Sequence, residues 1–205
     1  MHSKKVITAG VPISQASKVL IMIHGRGANA ENILSLAGYL TIKNYALIAP
    51  QAANNTWYPY SFTAPVSQNE PWLSSALEVI KEVVTDVNNQ GIPNENICFL
   101  GFSQGACLSL EFTTRNATKY SGIIAFSGGL IGDTVDVENY KGNFVQTPFF
   151  IGSSNPDFHI PVERVKRSAD ILRNMNADVI EKLYLNMGHT INEDELAYAN
   201  KILNG

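Results

Sequence analysis

Apolar residues along this chain fall into short, nearly unbroken runs. Between the runs lie longer stretches in which apolar residues recur every three or four positions. Residues 19–25 (VLIMIHG), 45–50 (YALIAP), 97–102 (ICFLGF), 122–128 (GIIAFSG) and 148–153 (PFFIGS) are such runs, and residues 180–185 (IEKLYL) form a more mixed sixth. Runs of this kind fit strands buried on both faces, as in a parallel sheet covered by helices. The helical period predicts helices over residues 32–39, 71–89, 104–116, 161–175 and 192–203. Pro161 opens the fourth of these, where its missing N–H costs least. Asn192 followed by Glu195 three positions later resembles a capping box at the start of the fifth. Regular strand–helix alternation predicts an α/β fold, with a mostly parallel sheet, helices on both faces and right-handed crossovers. A length of 205 residues with no repeat, charge block or linker fits one domain over residues 1–205.

One segment breaks the rhythm. Residues 51–72 (QAANNTWYPYSFTAPVSQNEPW) show no clear period and hold three prolines, two tryptophans, two tyrosines and a phenylalanine. Loops of this length are uncommon in compact domains unless functional or disordered, and disordered segments are poor in aromatics. An ordered loop over a pocket is expected.

Composition narrows the partners. The chain is 45% hydrophobic and 16% charged, with a formal net charge of −3. No electrostatic case exists for nucleic acid or an anionic membrane as main partner. The two cysteines, Cys98 and Cys107, have no CxxC spacing and no histidine cluster beside them, so no metal, cofactor or redox centre is expected. They read as buried free thiols, compatible with a reducing cytoplasm. The N-terminal MHSKKVITAG lacks the apolar core of a secretory signal, and no apolar run approaches the roughly 20 residues of a membrane span. The expectation is a cytoplasmic protein. No heptad encodes an oligomer, and a homodimer stays open.

Candidate chemistry centres on Gly101-Phe102-Ser103-Gln104-Gly105, a G-x-S-x-G pattern. Five residues are a weak signal alone. Here they follow a strand-like run and open a helical one, the context a nucleophile elbow requires. The flanking glycines permit a tight turn that exposes the serine Oγ beside a helix N-terminus, where negative charge is favoured. The competing reading makes Ser103 a mere N-cap.

The remaining residues discriminate. Of four histidines, His2 lies in the terminal tail, where poor order is expected. His24 closes a buried strand and reads as structural. His159 follows the fifth strand, and His189 lies after the last strand and before the last helix. Sites in such sheets lie beyond the carboxyl ends of strands, and the chain order of this arrangement is Ser, acid, His. His189 is therefore the expected base. Asp157 is the preferred acid, with Asp133 second and Asp136 third. The backbone N–H groups of Gln104 and of Arg26, in HGRG after the first strand, are the expected oxyanion donors. The Arg26 side chain is a candidate contact for an acidic substrate.

Four segments, LIMIHGRGANAEN, CFLGFSQGACLSL, DFHIP and NMGHTI, occur in this order. With them the chain resembles the phospholipase/carboxylesterase family of α/β-hydrolases, which includes acyl-protein thioesterases. The resemblance runs from about residue 19 to the C-terminus. It implies Ser103 as nucleophile, Asp157 as acid, His189 as base, and backbone donors at Arg26 and Gln104. It also implies an α/β-hydrolase fold without a separate lid domain, acting on carboxylic esters or thioesters. Thioesterase members commonly place Asp where this chain has Asn155, and they read HGLGD where it reads HGRGAN. Asp157 followed by His159 and Pro161 looks like the bacterial esterase branch. In that branch a segment like residues 56–59 lies near the active site, which suggests Trp57 as a pocket-lining residue; the alternative is that Trp57 packs under its loop.

The expected activity is therefore a serine carboxylesterase acting on small to medium esters through an acyl-enzyme, without cofactor and with a small-molecule ester as partner. An acyl-protein thioesterase or lysophospholipase with a long apolar groove is the alternative within enzymes. A catalytically silent binding module is the alternative outside them.

Overall fold

The computed structural model describes residues 1–205. Seven strands form one sheet: β1 (Val6–Gly10), β2 (Lys18–Ile23), β3 (Tyr45–Pro50), β4 (Ile97–Phe102), β5 (Gly122–Phe126), β6 (Pro148–Asn155) and β7 (Asp178–Leu185). Their order is β1-β3-β2-β4-β5-β6-β7. β1 pairs antiparallel with β3, and every other pair is parallel. This is the α/β-hydrolase fold expected above. The six predicted strands are present within a few residues. β1 carried no expectation, because it is a half-exposed edge strand with little apolar content.

Six helices flank the sheet: α1 (Ala30–Leu34), α2 (Val66–Asn69), α3 (Trp72–Asn89), α4 (Gln104–Arg115), α5 (Val162–Asn174) and α6 (Glu193–Leu203). The predicted helix over 32–39 is instead α1 followed by a 3-10 segment, Ser35–Tyr39. Strand side chains alternate between two cores, as the two-residue period requires. Val19, Ile21 and Ile23 of β2 join the core beneath α3, α4 and α5. Leu20 and Met22 join the second core, beneath α1 and α6. Both faces are thus apolar, which explains the unbroken hydrophobic runs.

α6 begins with the capping box read from the sequence: Asn192 and Glu195 exchange side-chain and backbone hydrogen bonds at 2.9 Å each. Parallel strands place the loops after β2, β4, β6 and β7 at one edge of the sheet, and the candidate residues converge there.

Candidate active site

Ser103 joins β4 to α4 with φ 54° and ψ −117°. A positive φ costs a non-glycine residue about 1–3 kcal/mol and needs surroundings that impose it. The Ser103 N–H donates to the Phe126 carbonyl at 2.9 Å, and the Ser103 carbonyl accepts the Cys107 N–H at 3.0 Å. The two motif glycines make this turn sterically allowed. A Cβ on Gly101 would lie 2.4 Å from the Gly105 carbonyl oxygen, and one on Gly105 would lie 2.0 Å from that of Ile23. The elbow is packed backbone against backbone. Ser103 stands at the N-cap position of α4 but makes no side-chain capping bond. The plain N-cap reading is therefore set aside, and Oγ is left for other partners.

Its partner is His189. Ser103 Oγ and His189 Nε2 are 2.9 Å apart, and His189 Nδ1 lies 2.8 Å from Asp157 Oδ2. His189 sits in the loop after β7. That loop is fixed by the Gly188 N–H donating to Ser154 Oγ and the Asn186 N–H donating to the Asn155 carbonyl. The Asp157 side chain is fully buried, while the His189 ring is a quarter exposed. Burial opposes ionisation of Asp157. Hydrogen bonds from the His189 ring and from the backbone N–H groups of His159 and Ile160 outweigh it and hold the carboxyl below its ordinary value.

Other sequence candidates fall elsewhere. Asp133 is exposed, and only its backbone carbonyl is engaged, by Arg164. Asp136 bonds Glu138 and Asn139 within a local turn. His159 reaches the edge of the site, with its ring edge-on to that of His189 at 5.0 Å between centroids. His24 is buried in a structural role, its Nδ1–H donating to the Gly25 carbonyl and its Nε2 accepting the Ala52 N–H. His2 is a correction: it is packed against Trp57 and Trp72, and it accepts the Ala53 N–H and donates to the Trp57 carbonyl. Burial pushes both imidazoles below their ordinary pKa.

The backbone of Gly25 packs on Phe102 and on Ser103 Cβ, which brings the HGRG turn beside the serine. The N–H groups of Arg26 and Gln104 donate to no acceptor within the chain. A cavity of about 770 Å³ opens at this point, bordered by Ser103 and His189 and walled by Tyr58, Tyr60, Phe62, Phe158 and Ile160. Within residues 51–72 the ordered loop over the pocket is residues 58–63; the rest of the segment includes α2, which the sequence pattern did not show, and the start of α3. Trp57 is the second correction. It is wholly buried, its indole N–H donates to the His24 carbonyl, and it does not border the cavity. Its neighbours do: Tyr58, Pro59, Tyr60, Ser61, Phe62 and Thr63 all border the cavity, an unbroken run that the aromatic content of the segment could have flagged. Cys107 also borders the cavity, but burial pushes its thiol up to about 12, so it is no nucleophile near neutral pH.

Comparison with known proteins agrees with the fold. The chain matches the phospholipase/carboxylesterase family over residues 4–205. A phospholipase/carboxylesterase crystal structure from Dyadobacter fermentans is 55% identical, with a TM-score of 0.98, covering 100% of this chain and 98% of that one. Acyl-protein thioesterase 1 of Kluyveromyces lactis is 28% identical over 72% of this chain and 73% of its own length. Acyl-protein thioesterase 1 of Saccharomyces cerevisiae is 27% identical over 90% of each. Fold and matches together define an ester hydrolase of the α/β-hydrolase class. The chain belongs to the phospholipase/carboxylesterase family. No helix is long and apolar enough to cross a membrane.

Proposed function

We propose that this protein is a carboxylesterase that cleaves small to medium carboxylic esters through a Ser103 acyl-enzyme, with His189 as base and Asp157 as acid. The observation that carries the reading is the unbroken relay from Ser103 Oγ through both His189 nitrogens to buried Asp157, with links of 2.9 and 2.8 Å. The Asp157 carboxylate accepts a hydrogen bond from Nδ1–H, so Nε2 is left as acceptor for the serine hydroxyl. His189 takes that proton as Oγ attacks the ester carbonyl. The tetrahedral oxyanion is received by the Arg26 and Gln104 N–H groups, which have no other partner. His189 then protonates the leaving group. A water activated by the same imidazole breaks the acyl-enzyme and restores Ser103. The whole chain acts as one such domain, and its two buried free cysteines suit the cytoplasm.

Mixed aromatic and polar walls support small to medium substrates. The names of the yeast relatives support a second reading, a thioesterase acting on long acyl chains. Hydrolysis of p-nitrophenyl acetate, butyrate and decanoate by wild type and Ser103→Ala tests both. The variant is expected to lose activity on the order of a million-fold. Rates that hold up with decanoate would favour the thioesterase reading. Equal activity in the two proteins, or inertness of the folded wild type to a fluorophosphonate probe, would refute the serine mechanism.

A further inference from the structure

The two residues assigned to the oxyanion hole are used above only through their backbone. Their side chains do something else. Gln104 Oε1 accepts the Trp57 N–H at 2.8 Å, and Gln104 Nε2 donates to the Tyr58 carbonyl at 2.8 Å. Arg26 Nη1 donates to the Pro59 carbonyl at 2.8 Å, and Arg26 Nη2 donates to the Tyr60 carbonyl at 2.6 Å. Backbone groups of four consecutive residues, 57 to 60, are thus gripped by these two side chains. Tyr58, Pro59 and Tyr60 of this stretch wall the cavity, and buried Trp57 carries the end of it that does not border the cavity.

We infer that Arg26 is a specificity-determining residue whose guanidinium, with the Gln104 amide, clamps the segment 57–60 that carries the cavity wall and sets how long an acyl group the pocket accepts. The inference rests on the catalytic reading above and adds substrate selection to it. The chemistry of both side chains suits the task. Gln104 is buried, and its oxygen faces a donor while its nitrogen faces an acceptor, so neither end is wasted. The guanidinium is a rigid fork that spans two successive carbonyls, which a lysine ammonium does not reproduce. Both terminal nitrogens of Arg26 are thus engaged by the wall, while its Nε–H and one N–H on each terminal nitrogen have no partner within the chain.

The two arms are not equivalent. Gln104 holds the buried end of the wall, and its loss leaves two backbone groups unpaired in the core. Arg26 holds the solvent end. At the same residue the wall has a second anchor, Asn69, which accepts the Tyr60 N–H and donates to the Ser61 carbonyl. Removing the fork therefore frees the Pro59 and Tyr60 carbonyls, one on either side of the Tyr60 N–H that Asn69 still holds, at the rim where Tyr60 is exposed. A freed rim yields to a longer acyl chain, whereas an acetyl group does not reach it.

The test compares kcat/KM for p-nitrophenyl decanoate and acetate in wild type, Arg26→Leu and Arg26→Lys. Taking the ratio of the two substrates cancels any common change at the oxyanion amides. In Arg26→Leu the decanoate-to-acetate ratio is expected to rise about tenfold, the scale of one lost hydrogen bond. In Arg26→Lys, which keeps the charge and one donor direction, it is expected to rise less. Should Arg26→Leu fail to fold by circular dichroism, a raised ratio in Arg26→Lys carries the inference. A ratio within twofold of wild type in the folded variants, or a lower one, overturns it. Ser103→Ala run alongside separates the two levels. If wild-type turnover does not depend on Ser103, the catalytic reading fails and the clamp falls with it. If turnover depends on Ser103 and the ratio is flat, only the clamp is wrong.

Discussion

Replacing Gly105 by alanine adds one methyl group at the tightest point of the elbow. That carbon would sit 2.0 Å from the Ile23 carbonyl oxygen, 2.5 Å from its carbon and 2.7 Å from the His24 carbonyl oxygen. All three atoms are backbone, so no rotamer change relieves the clash. Either the first turn of α4 or the end of β2 must move by more than an ångström. Overpacking of this kind costs about 1–3 kcal/mol. For a chain of this size that lowers Tm by roughly 3–10 °C. The same shift separates the Gln104 N–H, on α4, from the HGRG turn that follows β2. Misplacement by about 1 Å costs on the order of 100-fold in rate. The assay pairs thermal unfolding with kcat on p-nitrophenyl acetate at a temperature where the variant is folded. Gly38→Ala serves as control, since nothing lies within 4 Å of its added methyl. A Gly105→Ala protein with wild-type Tm and wild-type kcat would refute the account of why the motif needs its second glycine.

Two further outcomes follow from charge. Asp157→Asn keeps the shape of the acid but removes its hold on the His189 tautomer. The expected loss in kcat is about 10⁴-fold with KM little changed, and a loss under tenfold would dismiss Asp157 as the acid. Glu195 is fully buried, and burial pushes its carboxyl up to about 7, against the stabilising hydrogen bond from Asn192. Its folded pKa is raised, so its contribution to stability is present at low pH and is lost as pH rises towards and through about 7. In urea unfolding, wild type should lose about 2 kcal/mol relative to Glu195→Gln between about pH 5.5 and pH 8.5. A gap that does not vary with pH would count against the buried carboxyl as its source.

What the sequence determined by itself was whatever depends on local pattern. Five strands were legible because a strand covered on both faces must be apolar throughout; of the two edge strands, which need not be, β7 was legible from its mixed apolar run and β1 was not. Ser103 was legible because G-x-S-x-G encodes a turn whose sterics are local, Gly101 against Gly105. His189 was legible by chain order and by its place after a strand. Which of Asp157, Asp133 and Asp136 lies against His189 was decided only by tertiary structure, because all three are loop aspartates after strands. Only folding buries Asp157 against His189 while leaving Asp133 exposed. Trp57 shows the same limit from the other side. A tryptophan in an aromatic loop satisfies composition equally well in the pocket wall or beneath it. Its indole N–H found the His24 carbonyl 33 positions earlier, and that buried bond took it out of the pocket. The double use of Arg26 and Gln104 lay furthest from sequence. Their partners are backbone atoms, and backbone hydrogen-bonding groups are alike at every residue, so no pattern of side chains records which ones a fold will bring together.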